Sequence, residues 1–255
     1  MSRFQKIFAQ QKPILNVYCT AGFPHPDSTM DVMLALQEFG ADMIELGIPY
    51  SDPLADGPVI QESNATAIKN GMSIQKLFVD IKTFREKIHL PVILMGYLNP
   101  VLQYGFEKFC QDAAAIGIDG MIIPDLPDAV FEKQYAPIIK KYKLDFIFLV
   151  TPETSDERIK KLDRLSSGFL YAVSSSATTG NSNKLTGINA YLQRFNALSL
   201  HNPVLVGFGI GNKEMFMEVN KLAAGAIIGS AYIKAIRDAQ NINTATKSFL
   251  SSILG

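Results

Sequence analysis

A single-domain α/β fold of the (β/α)8 TIM-barrel class, spanning residues 1–255, follows from three features of the chain. Short apolar runs rich in β-branched residues recur eight times. Each leads into a longer segment with apolar residues every three or four positions, the alternation expected of a parallel sheet covered by helices. No long linker interrupts the series, which favours closure into a barrel. An open doubly wound sheet is the alternative, but its first strand should run into a GxGxxG turn. Here Thr20, Ala21, Gly22, Phe23 and Pro24 follow instead.

Taken in order, Met1 to Gln11 spaces Phe4, Ile7 and Phe8 along one helical face, so a helix is expected before the first strand. The strands are expected at Ile14 to Cys19, Met43 to Leu46, Val92 to Met95, Gly120 to Ile123, Phe146 to Val150, Phe169 to Val173, Val204 to Phe208 and Ala226 to Ile228. Several are apolar almost throughout, as they must be when both faces are covered. Between them, helices are expected at Asp27 to Phe39, Ser73 to Lys87, Phe106 to Ile116, Ala129 to Tyr142, Asp156 to Leu165, Ala190 to Leu198 and Lys213 to Leu222.

Composition narrows the function. Lys plus Arg and Asp plus Glu are equal at 24 each, so no charge excess draws the chain to nucleic acid or an anionic membrane. A small molecule or another protein is the expected partner. Cys19 and Cys110 form neither a CxxC pair nor a closely spaced framework, so both read as buried thiols in a reducing, cytoplasmic compartment. No stretch approaches the roughly 20 apolar residues of a membrane span, and the N-terminus has no signal-peptide core.

In a barrel, chemistry sits where strands hand over to loops at the C-terminal face. The handover after the second strand, ELGIPYSDPLADGPVIQ from Glu45 to Gln61, is the most informative stretch. An inward-pointing Glu45 at the end of an apolar strand would be poorly solvated, with its pKa raised toward that of an acid–base catalyst. An outward Glu45 paired with a helix Lys or Arg fits the residue type equally well. The loop beyond carries Asp52 and Asp56 between prolines and glycines, a shaped segment rather than a plain turn.

This segment resembles the signature of the tryptophan synthase α subunit family, a strand glutamate followed by a proline-bounded loop ending in a second carboxylate. YCTAGFP from Tyr18, LMGYLNP from Leu94, PDLP from Pro124, YAVS from Tyr171, GFGI from Gly207 and IGSA from Ile228 follow in the family's order over nearly the whole chain. One departure lies in Ala177-Thr178-Thr179-Gly180, where the family usually has Gly-Val-Thr-Gly.

The resemblance implies a lyase that splits indole-3-glycerol phosphate into indole and glyceraldehyde 3-phosphate by a retro-aldol step. By position it makes Glu45 the proton shuttle and Asp56 the partner of the ring nitrogen. It implies an indole pocket of Tyr18, Ile60, Met95, Tyr97, Tyr171, Thr179 and Phe208, and a phosphate site at Gly180, Gly209, Gly229 and Ser230. Gly209 to Gly211 and Gly229-Ser230 also stand after the last two strands, where barrels often bind phosphate on backbone amides. Core packing is the usual fate of a strand aromatic, and Gly-Ile-Gly by itself is more often a turn. Asp125 and Asn99-Pro100 read as loop-shaping residues near a partner surface. The resemblance further implies a β subunit in an α2β2 heterotetramer, with pyridoxal phosphate on the β subunit and no cofactor or metal on this chain. Asp52 is the residue proposed to touch that partner.

The residue inventory agrees with such a reaction. None of the expected strands carries a lysine for a Schiff base. His25, His89 and His201 are isolated in sequence rather than spaced as metal ligands. Two other functions remain to be weighed: another phosphate-binding barrel enzyme, such as an isomerase, and a barrel kept only to regulate a partner. The two-carboxylate loop argues against both.

Overall fold

The computed structural model describes residues 1–173, 184–207 and 209–255, with side chains of 184–189 excepted. Nine parallel strand segments run β1 (Ile14–Thr20), β2 (Met43–Gly47), β3 (Val92–Met95), β4 (Gly120–Ile122), β5 (Asp145–Phe146), β6 (Leu149–Val150), β7 (Leu170–Val173), β8 (Val204–Gly207) and β9 (Gly225–Ile228). Their order in the sheet is β5-β4-β3-β2-β1-β9-β8-β7-β6. The two ends of that order, β5 and β6, are the halves of the single strand expected at Phe146 to Val150. Ile147 N–H donates to the Met121 carbonyl (3.1 Å) and Tyr171 N–H to the Phe148 carbonyl (3.0 Å). The split strand thus pairs on both sides and closes the sheet, its lower half on β4 and its upper half on β7. Such a stagger is inherent in a tilted barrel.

Alternation along the strands separates two cores. Ile14, Met43, Ile93, Ile122, Ile147, Phe169, Leu205 and Ile227 pack together inside the barrel. Helix α1 (Arg3–Phe8) closes the bottom by inserting Phe4 and Ile7, with the Phe4 ring 6.2 Å from that of Phe169. Ser2 and Gln5 form a reciprocal capping box that fixes where this plug begins. The intervening residues, including Val17, Ile44, Leu46, Leu94 and Ala172, face outward against the helices. Cys19 and Cys110 are free and buried, as expected.

The helices needed to place the site are α2 (Thr29–Glu38), α3 (Pro58–Lys69), α4 (Ile74–Asp80), α5 (Leu98–Tyr104), α6 (Phe106–Ile116), α7 (Asp128–Val130), α8 (Ala136–Lys141), α9 (Asp156–Leu165), α10 (Lys184–Ala197), α11 (Lys213–Val219), α12 (Ser230–Ile236) and α13 (Ile242–Leu254). Two expected helices are interrupted. The segment Ser73 to Lys87 stops at Asp80 and resumes only as a 3-10 turn at Phe84–Glu86. There the Arg85 guanidinium reaches across to the carbonyls of Gly117, Ile88 and Leu90 and to Asp119, so the chain bends toward the barrel bottom. The segment Ala129 to Tyr142 carries a π-helical stretch at Phe131–Tyr135 before Pro137. Proline supplies no N–H to the turn before it, and that turn widens. Among the described residues no helix is long and apolar enough to cross a membrane.

Candidate active site

At the C-terminal end of the barrel, β1 and β2 pair so that Tyr18 lies opposite Glu45, and β2 and β3 so that Gly47 lies opposite Met95. Residues two apart on a strand share a face. Met43 belongs to the inner core, so Glu45 also points inward. It is 1% exposed. Of the two orientations open to the sequence, the structure shows the inward one. Asn16 Nδ2 donates to Glu45 Oε2 at 2.9 Å. Burial pushes the Glu45 carboxyl up to about 8; the Asn16 hydrogen bond pulls it down and the charge of Asp56 raises it. Near neutrality Glu45 therefore holds a proton it can give away.

Asp56 reaches the same space from the loop. Its Oδ2 accepts a hydrogen bond from Tyr97 Oη at 3.0 Å, and the same Tyr97 oxygen accepts from Ala55 N–H at 3.0 Å. Tyr97 thus grips two consecutive loop residues. Burial raises the Asp56 carboxyl above its ordinary value, while the Tyr97 hydrogen bond opposes that rise. The ring of Tyr50 lies against Tyr97 with centroids 5.3 Å apart, and Tyr50 N–H donates to Asn64 Oδ1 on α3. Gln61 Nε2 donates to the Asp56 carbonyl. Both ends of the loop are therefore tied to α3.

Tyr18 and Tyr171 complete the enclosure. Burial, together with the charges of Glu45 and Asp56, holds both phenols well above their ordinary value, so both are neutral donors. Each ring occupies space left by a glycine. A Cβ on Gly207 would lie 2.6 Å from the Tyr171 ring, and one on Gly47 would collide with the Tyr18 phenol. Ile60, in the first turn of α3, is buried near β1, where Thr20 Oγ1 and Ser63 Oγ are 2.7 Å apart. A cleft of 400 Å3 adjoins the loop, with Ala55, Ile123, Leu149 and Val173 on its walls. Two carboxyls of different burial, facing an apolar and aromatic chamber, can divide proton donation from charge stabilisation.

The family model described as tryptophan synthase alpha chain matches residues 4–252. The tryptophan synthase alpha chain of Flavobacterium johnsoniae is 48% identical over 239 residues, covering 93% of this chain and 94% of that one. That of Parabacteroides distasonis is 47% identical over 255 residues, covering 99% of each. The chain belongs to the tryptophan synthase alpha chain family. Its fold agrees: the crystal structure of the Legionella pneumophila alpha subunit superposes with a TM-score of 0.91 at 37% identity, covering 99% of this chain and 97% of that one. Tryptophan synthase from Mycobacterium tuberculosis, in its aminoacrylate-bound form, gives 0.86 at 30% identity, covering 99% and 100%. As a tryptophan synthase alpha chain the protein is a lyase that cleaves indole-3-glycerol phosphate, and the indole passes to a β subunit.

Glu45, Asp56, Tyr18, Met95, Tyr97, Tyr171 and Ile60 thus gather at one end of this alpha chain's barrel. Thr179, Gly180 and Phe208 lie outside the described residues, as does the 177–180 departure. Gly229 and Ser230 open α12, and Gly209 follows β8 with φ +62 and open space where a Cβ would be. A Cβ on Gly211 would lie 3.8 Å from that of Ala231, so the two loops meet. Asp52 stands apart on the outer surface, its carboxylate held by the Ser51 hydroxyl and its neighbour Leu54 90% exposed. Asp125 caps α5 by accepting from Leu98 N–H at 2.8 Å, a loop-shaping role. His25, His89 and His201 are exposed and far apart in the chain.

One residue of this site, Asn16, is not among those the sequence points to, and a second, Tyr97, does more than expected. Asn16 lies two before Tyr18 on the same inward face of β1, and an amide there carries no distinct sequence signal. Tyr97 was expected as a pocket wall, whereas it also holds the Asp56 loop. No sequence signal announces that contact, because it joins two loops 41 residues apart.

Proposed function

We propose that Glu45 and Asp56 divide the proton work of the retro-aldol cleavage, Glu45 as the general acid and base and Asp56 as the charge that faces the indole N–H. The observation that carries this reading is the contrast between them: Glu45 is sealed in the barrel with its pKa at about 8, while Asp56 is less buried and accepts a hydrogen bond that favours its anion.

The steps follow from these states. Protonated Glu45 gives its proton to ring C3, and positive charge builds toward the ring nitrogen, where Asp56 stabilises it. The Glu45 carboxylate then takes the proton of the side-chain hydroxyl next to C3. As the carbonyl forms, the bond to C3 breaks and its electrons restore the indole ring. Glu45 ends protonated, ready for another turnover. The phosphate is held by Gly209, Gly229 and Ser230, with Gly180, where backbone amides can approach the anion without a side chain in the way. Tyr18, Ile60, Met95, Tyr97 and Tyr171, with Thr179 and Phe208, form the indole pocket.

The assembly is an α2β2 heterotetramer in the cytoplasm, with pyridoxal phosphate on the β subunit, and Asp52 meets that subunit beside exposed Leu54. The chain forms one domain over residues 1–255. The reading is tested by Asp56→Asn with two substrates, the natural one and an analogue whose ring has no N–H. Turnover of the natural substrate should fall by roughly 100-fold or more, with a much smaller loss for the analogue. Equal losses would remove Asp56 from the ring nitrogen.

A further inference from the structure

We propose that Asn16 is a positioning residue for the shuttle, its side-chain amide holding Glu45 Oε2 as a fixed acceptor so that the proton is exchanged at Oε1. The inference rests on Glu45 being the acid and base. Asn16 is 0% exposed, two residues beyond Ile14 on the inner face of β1, and its register partners are Met43 of β2 and Ile227 of β9, both in the apolar inner core. Its Nδ2 donates to Glu45 Oε2 at 2.9 Å, whereas its Oδ1 has no hydrogen-bond partner among the described residues.

That imbalance separates a working amide from a packing one. Buried amides kept for structure are as a rule satisfied at both ends, and an unpaired carbonyl in apolar surroundings disfavours folding. A leucine of similar size would pack in this core without that cost. What the asparagine supplies is the N–H. A donor on Oε2 suits the carboxylate and also suits the acid when Oε2 is its carbonyl oxygen. The acid then carries its proton on Oε1 and the carboxylate takes one up there, Oε1 receiving no hydrogen bond from the described residues. The same donation favours the anion that must form after Glu45 protonates the ring, so Glu45 can release its proton despite its burial.

The groups that face Glu45 are Asn16 and Tyr18 from the inner face of β1, Asp56 from the loop and Tyr171 from β7, while Cys19, on the outer face of β1, also feels its charge. Asn16 is the one that donates to its carboxylate and so lowers its pKa; Asp56 raises it. Loss of the amide must therefore move the titration of Glu45 upward.

The test follows indole release by the αβ complex from about pH 6 to about pH 10, with Asn16→Leu, Asn16→Ala and Glu45→Gln side by side. For Asn16→Leu the alkaline limb, where Glu45 loses its proton, should move up by about one pH unit. Its kcat near neutrality should fall about 10-fold with KM within about twofold, because the acid is misplaced rather than the substrate lost. If circular dichroism shows that the leucine variant does not fold, the alanine variant carries the same expectation. Folded variants with the wild-type limb would overturn the proposal, whatever happened to kcat, since a packing defect lowers turnover without moving that limb. Normal Asn16 variants beside an inactive Glu45→Gln would overturn the role of Asn16 alone. An active Glu45→Gln would remove the shuttle itself, and this proposal with it.

Discussion

Burial sets the Glu45 carboxyl at about 8 in the folded chain against an ordinary value of 4.5, and the same shift makes this residue a liability for the fold. Between those values the folded chain retains a proton that the unfolded chain has released, so stability falls as pH rises through that window. Below it both states are protonated and nothing is lost; above it the full penalty is present. Glu45→Gln should therefore be more stable than wild type by on the order of a few kcal/mol at about pH 9, with a much smaller difference at about pH 5. Thermal melts at the two pH values check this, and a difference that did not grow with pH would mean that Glu45 is solvated. Much of this residue-level picture was legible in the sequence. Glu45 at the end of an apolar strand was a candidate from its residue type, with its orientation left open until the structure showed it inward, and Tyr18 and Tyr171 were assigned to the chamber by the family resemblance. Asn16 was not legible, because an amide in a strand becomes meaningful only once register sets it beside Glu45.

The loop from Pro49 to Pro58 is the element on which Asp56 depends. Its prolines and glycines identified it as a shaped segment, and the structure shows how it is held: Tyr97 on Ala55 and Asp56, Gln61 on the Asp56 carbonyl, Asn64 on Tyr50. Removing the phenol in Tyr97→Phe takes away a donor that lowers the Asp56 pKa. Asp56 would then bind its proton at higher pH, so the acid limb of the pH–rate profile should move upward and kcat fall by about 10-fold. An unmoved acid limb would show that the ionisation of Asp56 does not limit the rate there. Other elements differed from expectation for identifiable reasons. A hydrophobic period carries through Ile81, Phe84 and Ile88, so nothing in it reveals that Arg85 turns back into the barrel bottom. Phe106–Ile116 and Asp156–Leu165 match their expected bounds; glycine ends the first in a left-handed cap, and a serine cap begins the second.

At the scale of the whole molecule, the number and direction of the strands could be read from apolar runs, since burial on both faces leaves an unmistakable composition. The unbroken series of units also favoured closure into a barrel, but how the barrel closes was not legible, because β5 and β6 share one strand between two neighbours, a matter of stagger rather than sequence. The barrel places Glu45 on a strand and Asp56 on a loop, and that division favours regulation by the β subunit. A partner that binds the closed loop better shifts the population toward it by its differential affinity. Indole-3-glycerol phosphate turnover should therefore rise as β subunit is titrated in, with the loop from Pro49 to Pro58 becoming resistant to protease over the same range. Full activity of the isolated chain, with no gain on adding β subunit, would describe a stand-alone lyase instead. The central claim, that one buried carboxyl performs both proton transfers, is tested most directly by the turnover of Glu45→Gln at saturating β subunit. Indole release should fall by roughly 100-fold or more while glycerol phosphate binding is retained, and near-normal release by this variant would contradict the claim.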